Sequence, residues 1–107
     1  MRPQVPQALL DGVVDHLDPL EVYLFGSRAR GDEKADSDFD LLVVVRDDAP
    51  AADISGRKLA QARSRYRGPV DILVSRKSHF ERRRTMLGAL AEIVSREGVL
   101  VYEKPVA

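Results

Sequence analysis

The stretch "GSRARGDEKADSDFDLLVVV", residues 26–45, decides how this chain folds. Its last part, "FDLLVVV", is apolar at consecutive rather than alternate positions and rich in β-branched residues. That is the pattern of a strand covered on both faces, and therefore central in a sheet. The run before it, "EVYLFGS", is a shorter segment of strand formers closed by glycine. The acid-rich residues in between join two strands, so they are either an ordinary polar loop or a site that the strands hold in place.

Working outward, Val5, Leu9, Val13 and Leu17 recur at four-residue spacing and predict an amphipathic helix over residues 4–17, ending before Pro19. Residues 51–66 predict a second helix with sparse apolar positions at Ile54, Leu59 and Ala62 and a basic outer face. "RGPVDILVS" predicts a turn and a third strand. Residues 79–96 predict one further helix, with Met86, Leu87, Leu90, Ile93 and Val94 inward and Gly98 as its C-terminal cap. Gly88 inside it costs roughly 1 kcal/mol relative to alanine, and marks either close helix packing or a later helix start. "VLVYE" predicts a short final strand whose apolar edge is a candidate surface for homo-oligomer assembly. The fold class is α/β (α+β), in a single domain over residues 1–107.

Composition limits the function. A chain of 107 residues forms one core and leaves no room for a second substrate-binding domain, so part of the binding surface is expected from a partner or a second copy. With 44% apolar and 32% charged residues the composition is globular, and the lack of cysteine excludes disulfides, thiolate chemistry and cysteine-bound zinc. No apolar run approaches the roughly 18 residues of a spanning helix, and "MRPQVPQALLDGVV" lacks the apolar core of a signal peptide. No membrane association and a cytoplasmic location are expected. The net charge of zero conceals a segregation: residues 11–53 hold twelve acids and four bases, residues 55–84 ten bases and two acids. This fits a metal site in the first half and an anion-attracting surface in the second, or simply an exposed helix coated by Arg57, Lys58, Arg63, Arg65 and Arg67.

The carboxylates carry the chemistry. Asp38 and Asp40 are one residue apart at the start of a strand, so both side chains point to one face, while Phe39 points to the other and anchors the strand in the core. Aspartate is depleted inside strands, and Asp71 repeats the anomaly in "PVDILVS", among apolar neighbours. If the third strand lies beside the second, three carboxylates converge. An oxygen-only donor set favours magnesium or manganese. Gly26 and Ser27, after a strand and before "RARG", would open a short helical turn whose backbone N–H groups suit phosphate oxygens, with Arg28 or Arg30 supplying positive charge. Each feature alone has a plainer reading: a Gly-Ser turn, Asp36 and Asp38 as turn or cap residues, Asp71 paired with an arginine. Their combination at this spacing points to one site.

"GSRARG", five intervening residues, "SDFDLLVVV" and then "VDILV" resemble the signature of the DNA polymerase beta-like nucleotidyltransferase superfamily. The arginine-containing "GSRARG" and the small size are similar to its minimal nucleotidyltransferases, the MNT group. The resemblance covers about residues 18–75, with no departure at the motif positions. It implies a small mixed sheet flanked by helices in the order helix, strand, helix, strand, helix, strand. It also implies that Asp38, Asp40 and Asp71 hold two magnesium ions, with Asp71 a candidate general base. Gly26 and Ser27 would then hold the triphosphate of ATP, with Ser37, Arg28 and Arg30 assisting. The implied partner is a HEPN-domain ribonuclease toxin, modified by transfer of AMP to a tyrosine, with the MNT protein as antitoxin.

Three other readings remain open. The acceptor could be a small molecule, as in antibiotic-type nucleotidyltransferases; the chain could be a non-catalytic antitoxin acting by binding; or it could modify nucleic acid. Three aspartates in strands argue against pure binding, and the scarcity of aromatics beside the arginines argues against nucleic acid. His16 and His79 are expected to serve as surface or capping groups. Arg82, Arg83 and Arg84 read as a solvated helix turn, and Tyr23, Tyr66 and Tyr102 as packing residues.

Overall fold

A computed structural model describes residues 5–105. Its elements are α1 (Gln7–Leu17), β1 (Glu21–Phe25), α2 (Ser27–Arg30), β2 (Phe39–Val45), a 3-10 turn (Ala51–Ile54), α3 (Gly56–Arg63), β3 (Val70–Arg76), α4 (Lys77–Arg83), α5 (Leu90–Glu97) and β4 (Val99–Glu103). The strands form one mixed sheet in the order β3-β2-β1-β4. β2 runs antiparallel to β1 and parallel to β3, and β4 runs antiparallel to β1. The apolar run "LLVVV" is thus internal, as its pattern requires, and "VLVYE" adds the fourth strand at an edge.

Alternation along β2 divides the core in two. Phe39, Leu41, Val43 and Val45 face one side, where they pack with Leu9, Val13 and Leu17 of α1 and Ala62 of α3. Leu42 and Val44 face the other, against Phe80, Ala91 and Val94 of α4 and α5. The first cluster is the larger, and each fully buried Val or Leu in it contributes about 1.5–3 kcal/mol by leaving water. α1 and α3 meet closely because position 12 lacks a side chain: a Cβ on Gly12 would lie 2.2 Å from the carbonyl oxygen of Ala62.

Several expected elements are shorter. α1 begins at Gln7, with Val5 and Pro6 ahead of it and residue 4 outside the described residues. The helix expected over 51–66 is interrupted at Ser55, whose backbone is extended and whose hydroxyl accepts from Lys58 N–H as the N-cap of α3. The helix expected over 79–96 is two helices. Gly88 takes φ +85 between them with nothing near its missing Cβ, so it serves the turn and not helix packing. As a result Met86 is 51% and Leu87 92% exposed, and Leu90 is only partly covered, whereas Phe80, Ala91 and Val94 are the buried positions. Gly98 does follow α5, but in extended rather than left-handed conformation; a side chain there would meet the carbonyl oxygens of Val94 and Leu24.

α1 is tied down beyond its apolar face. Asp18, in left-handed conformation at the helix end, accepts from Lys104 Nζ (2.9 Å) and Arg46 Nη1 (3.1 Å), which holds its carboxyl below the usual range, chiefly through Lys104. His16 Nδ1 lies 2.9 Å from the Gly12 carbonyl oxygen, one turn back in α1. Tyr23 stacks on Phe80 and Tyr66 packs edge-on against Phe39, so both serve packing. Among the described residues no helix is long and apolar enough to cross a membrane.

Gly12→Ala is expected to destabilise the protein by about 1–3 kcal/mol in urea unfolding, because its methyl would meet backbone that cannot swing aside. Gly56→Ala, in open space at the start of α3, is expected to be neutral or slightly stabilising.

Candidate active site

The site is set by strand pairing. The parallel register of β2 and β3 places Asp40 opposite Asp71 and Leu42 opposite Leu73, and paired residues share a face of the sheet. On the other flank the antiparallel register pairs Asp40 with Phe25, the last residue of β1. Gly26 follows at once, so the Gly-Ser turn and the second aspartate are neighbours across one pair of strands. Asp38, two residues before Asp40, lies just ahead of β2. One carboxylate oxygen from each of Asp38, Asp40 and Asp71 lies within 4.8 Å of the others, a spacing that could hold a metal ion.

Gly26 has φ +76 and ψ −159, backbone that favours glycine, and a Cβ there would lie 2.2 Å from Asp40 Oδ2. Its carbonyl accepts from the N–H groups of Ala29 and Arg30, which starts α2. The N–H groups of Ser27 and Arg28, in the first turn, have no acceptor within the helix.

The loop between α2 and β2 is held by Arg28. Its Nε donates to the Ser37 carbonyl (2.9 Å), and its guanidinium lies 4.1 Å over the Phe39 ring. Because Phe39 is itself buried, this joins α2, the core and the backbone beside Asp38 in one contact. Ser37 Oγ accepts from the Lys34 N–H (2.8 Å), closing the turn before the aspartate pair. Arg30 is more exposed and pairs with Asp32 (3.3 Å). Its charge also acts on Asp40.

The three carboxylates differ in exposure. Asp40 is partly buried, and its carboxyl is pushed above the usual range, first by burial, then by the charges of Asp71 and Asp38, with Arg30 opposing. Asp38 and Asp71 are exposed. The apolar neighbours of Asp71 do not enclose it: β3 is an edge strand, and Asp71, Leu73 and Ser75 lie on its more open face. Leu73, 43% exposed beside the carboxylates, escapes a reading that treats "VDILV" as uniformly buried, although its alternation with Asp71 is visible in the sequence.

A nucleotidyltransferase domain family matches residues 7–101. No protein of curated function matches the sequence significantly. Among solved structures, a crystal structure of a toxin-antitoxin with AMP-PNP is similar with a TM-score of 0.57 and 23% identity, covering 91% of this chain and 72% of that one. A crystal structure of a protein assigned as a nucleotidyltransferase from Sulfolobus solfataricus is similar with a TM-score of 0.50 and 22% identity, covering 94% of this chain and 91% of that one. At these identities the two structures establish the polymerase beta-like nucleotidyltransferase fold.

The raised pKa of Asp40 has a signed consequence for stability. The folded state binds this proton more tightly than the unfolded state, so without metal its contribution to stability falls as pH rises from the ordinary carboxylate value through the raised one. In chelator at pH 7, Asp40→Asn is expected to melt above the unsubstituted protein, because the amide carries no charge to desolvate. The difference is expected to vanish at a pH below both values. Equal melting temperatures at both pH values would contradict the upward shift of the Asp40 carboxyl.

Proposed function

The chain belongs to the nucleotidyltransferase domain family, and we propose that it transfers AMP from ATP, in a magnesium-dependent reaction, to a tyrosine hydroxyl of a HEPN ribonuclease partner whose antitoxin it is. In this reading residues 1–107 act as one catalytic domain. The observation that carries the proposal is the convergence of Asp38, Asp40 and Asp71 within 4.8 Å beside the Gly26 turn. The likeness in fold to a toxin-antitoxin crystallised with AMP-PNP supports both the nucleotide and the setting.

The donor set fits a hard divalent cation. It consists of carboxylate oxygens alone, open to solvent on the side where phosphates would complete the shell. Bound by these residues, two magnesium ions, or manganese in their place, would offset the phosphate charge and favour in-line displacement.

The chain's own groups do the rest. Gly26 lets a phosphate approach the backbone closely, and the N–H groups of Ser27 and Arg28, with the Ser27 hydroxyl, donate to its oxygens. Arg30 supplies positive charge, and Ser37 lies close by in the turn that Lys34 closes. Arg28 acts through its contacts with Ser37 and Phe39, which hold the loop bearing Asp38. The acceptor oxygen bonds to the α-phosphorus as the bond from that phosphorus to the bridging oxygen of the β-phosphate breaks, and pyrophosphate leaves. Asp71, exposed at the edge of the sheet, takes the hydroxyl proton.

The test is the intact mass of the protein encoded beside this one after co-expression. A gain of one or more AMP units is expected with the unsubstituted chain and none with the Asp38→Ala, Asp40→Ala double variant. A partner that binds tightly and stays unmodified would overturn the proposal in favour of neutralisation by binding alone.

A further inference from the structure

The face of the sheet that carries Asp71 does not end in solvent. A groove of about 540 Å³ runs on from it between β3 and the pair α4 and α5, within the range of pockets that bind several chemical groups at once. Leu73, Phe80 and Leu90 line it together with Arg76, His79 and Arg83, and no carboxylate does. Asp71 and Leu73 are two residues apart on one strand face, about 6.6 Å along it. Asp71 is not itself a lining residue of the groove, so an acceptor resting on Leu73 reaches Asp71 by extending one strand repeat beyond it.

The chemistry of the groove selects the acceptor. Leu73 and Leu90 are 43% and 39% exposed, an apolar floor left uncovered by the opening of the expected long helix at Gly88. The rim is cationic. Arg76 donates to the carbonyls of Asp47 and Ala49 and not to a carboxylate, and among the described residues none of Arg76, His79 and Arg83 enters an ion pair. A polycationic small acceptor would be repelled. A nucleic acid would find no stacking platform, since Phe80 is fully buried. We infer that this groove is the acceptor site and that it takes an acidic polypeptide segment. Apolar or aromatic side chains of that segment rest on Leu73 and Leu90, its carboxylates face His79 and Arg83, and a tyrosine hydroxyl lies at Asp71. This rests on the transferase reading above and narrows its substrate. The covalent step is unchanged: the tyrosine oxygen gains the α-phosphoryl bond, pyrophosphate departs, and the phenolic proton passes to Asp71.

The test uses ATP labelled in its α-phosphate and two probe acceptors, a random Glu/Tyr copolymer and a random Lys/Tyr copolymer. The Glu/Tyr polymer is expected to be labelled at least about tenfold faster, roughly 1.4 kcal/mol of discrimination. Leu73→Glu and, separately, Arg83→Glu are expected to reduce that labelling by about tenfold or more, with nucleotide affinity by fluorescence titration unchanged. Both side chains are exposed, so neither change disturbs the core, and the unchanged nucleotide affinity separates acceptor binding from misfolding. Equal labelling of the two polymers, faster labelling of an oligoadenylate, indifference to both substitutions, or nucleotide binding with no labelling of either polymer would overturn the inference and leave the transferase reading standing. Failure of the unsubstituted protein to bind ATP with magnesium would instead take down both.

Discussion

The structure depends on the parallel pairing of β2 with β3. Parallel strands need a crossover, here the 3-10 turn and α3, which returns the chain over the face covered by α1. The pairing that buries Leu41 beside Ile72 is the same one that sets Asp40 beside Asp71. A slip of one residue would move Asp71 to the opposite face and bury it beneath α3, so the packing of the core and the assembly of the site are one constraint. The apolar face supplies the stability, and the ends of the same strands carry charges that oppose it. Asp40, with its carboxyl shifted upward beside two other acids, is where that opposition is greatest.

The two faces of the sheet are correspondingly unequal. The face toward α1 and α3 is closed by a large cluster and by the contact at Gly12. The other is closed only over Leu42 and Val44, where Phe80 and Val94 cover it, and it opens toward β3. The segregation of charge along the sequence acquires a spatial meaning there. Asp38 and Asp40 of the acidic half meet Asp71 at the beginning of β2, and Arg76 and Arg83 of the basic half border the groove.

The parts of this arrangement that were legible in the sequence are those with short-range signatures. The consecutive apolar residues of "FDLLVVV" mark an inner strand, and the one-residue spacing of Asp38 and Asp40 fixes a common face. The same residues support the resemblance to nucleotidyltransferases, which the match over residues 7–101 bears out. Features that depend on tertiary context were not legible. A periodic apolar pattern runs through Met86, Leu87 and Leu90, yet the chain turns at Gly88, which takes a positive φ, and leaves Leu87 in solvent. Arg28 stacking on Phe39 across eleven residues has no local signal at all. Ser55, by contrast, is a readable N-cap that the apolar periodicity of residues 51–66 obscures.

The central claim is that Asp38, Asp40 and Asp71 form a divalent-cation site completed by a nucleoside triphosphate. The most direct measurement is titration with Mn²⁺ in the presence of a non-hydrolysable ATP analogue, following the electron paramagnetic resonance signal of the free ion. The account predicts that protein plus analogue depletes the free signal beyond what the analogue alone does, up to two ions per chain, and that Asp40→Asn abolishes the excess. A free-ion signal identical with and without the protein would contradict it.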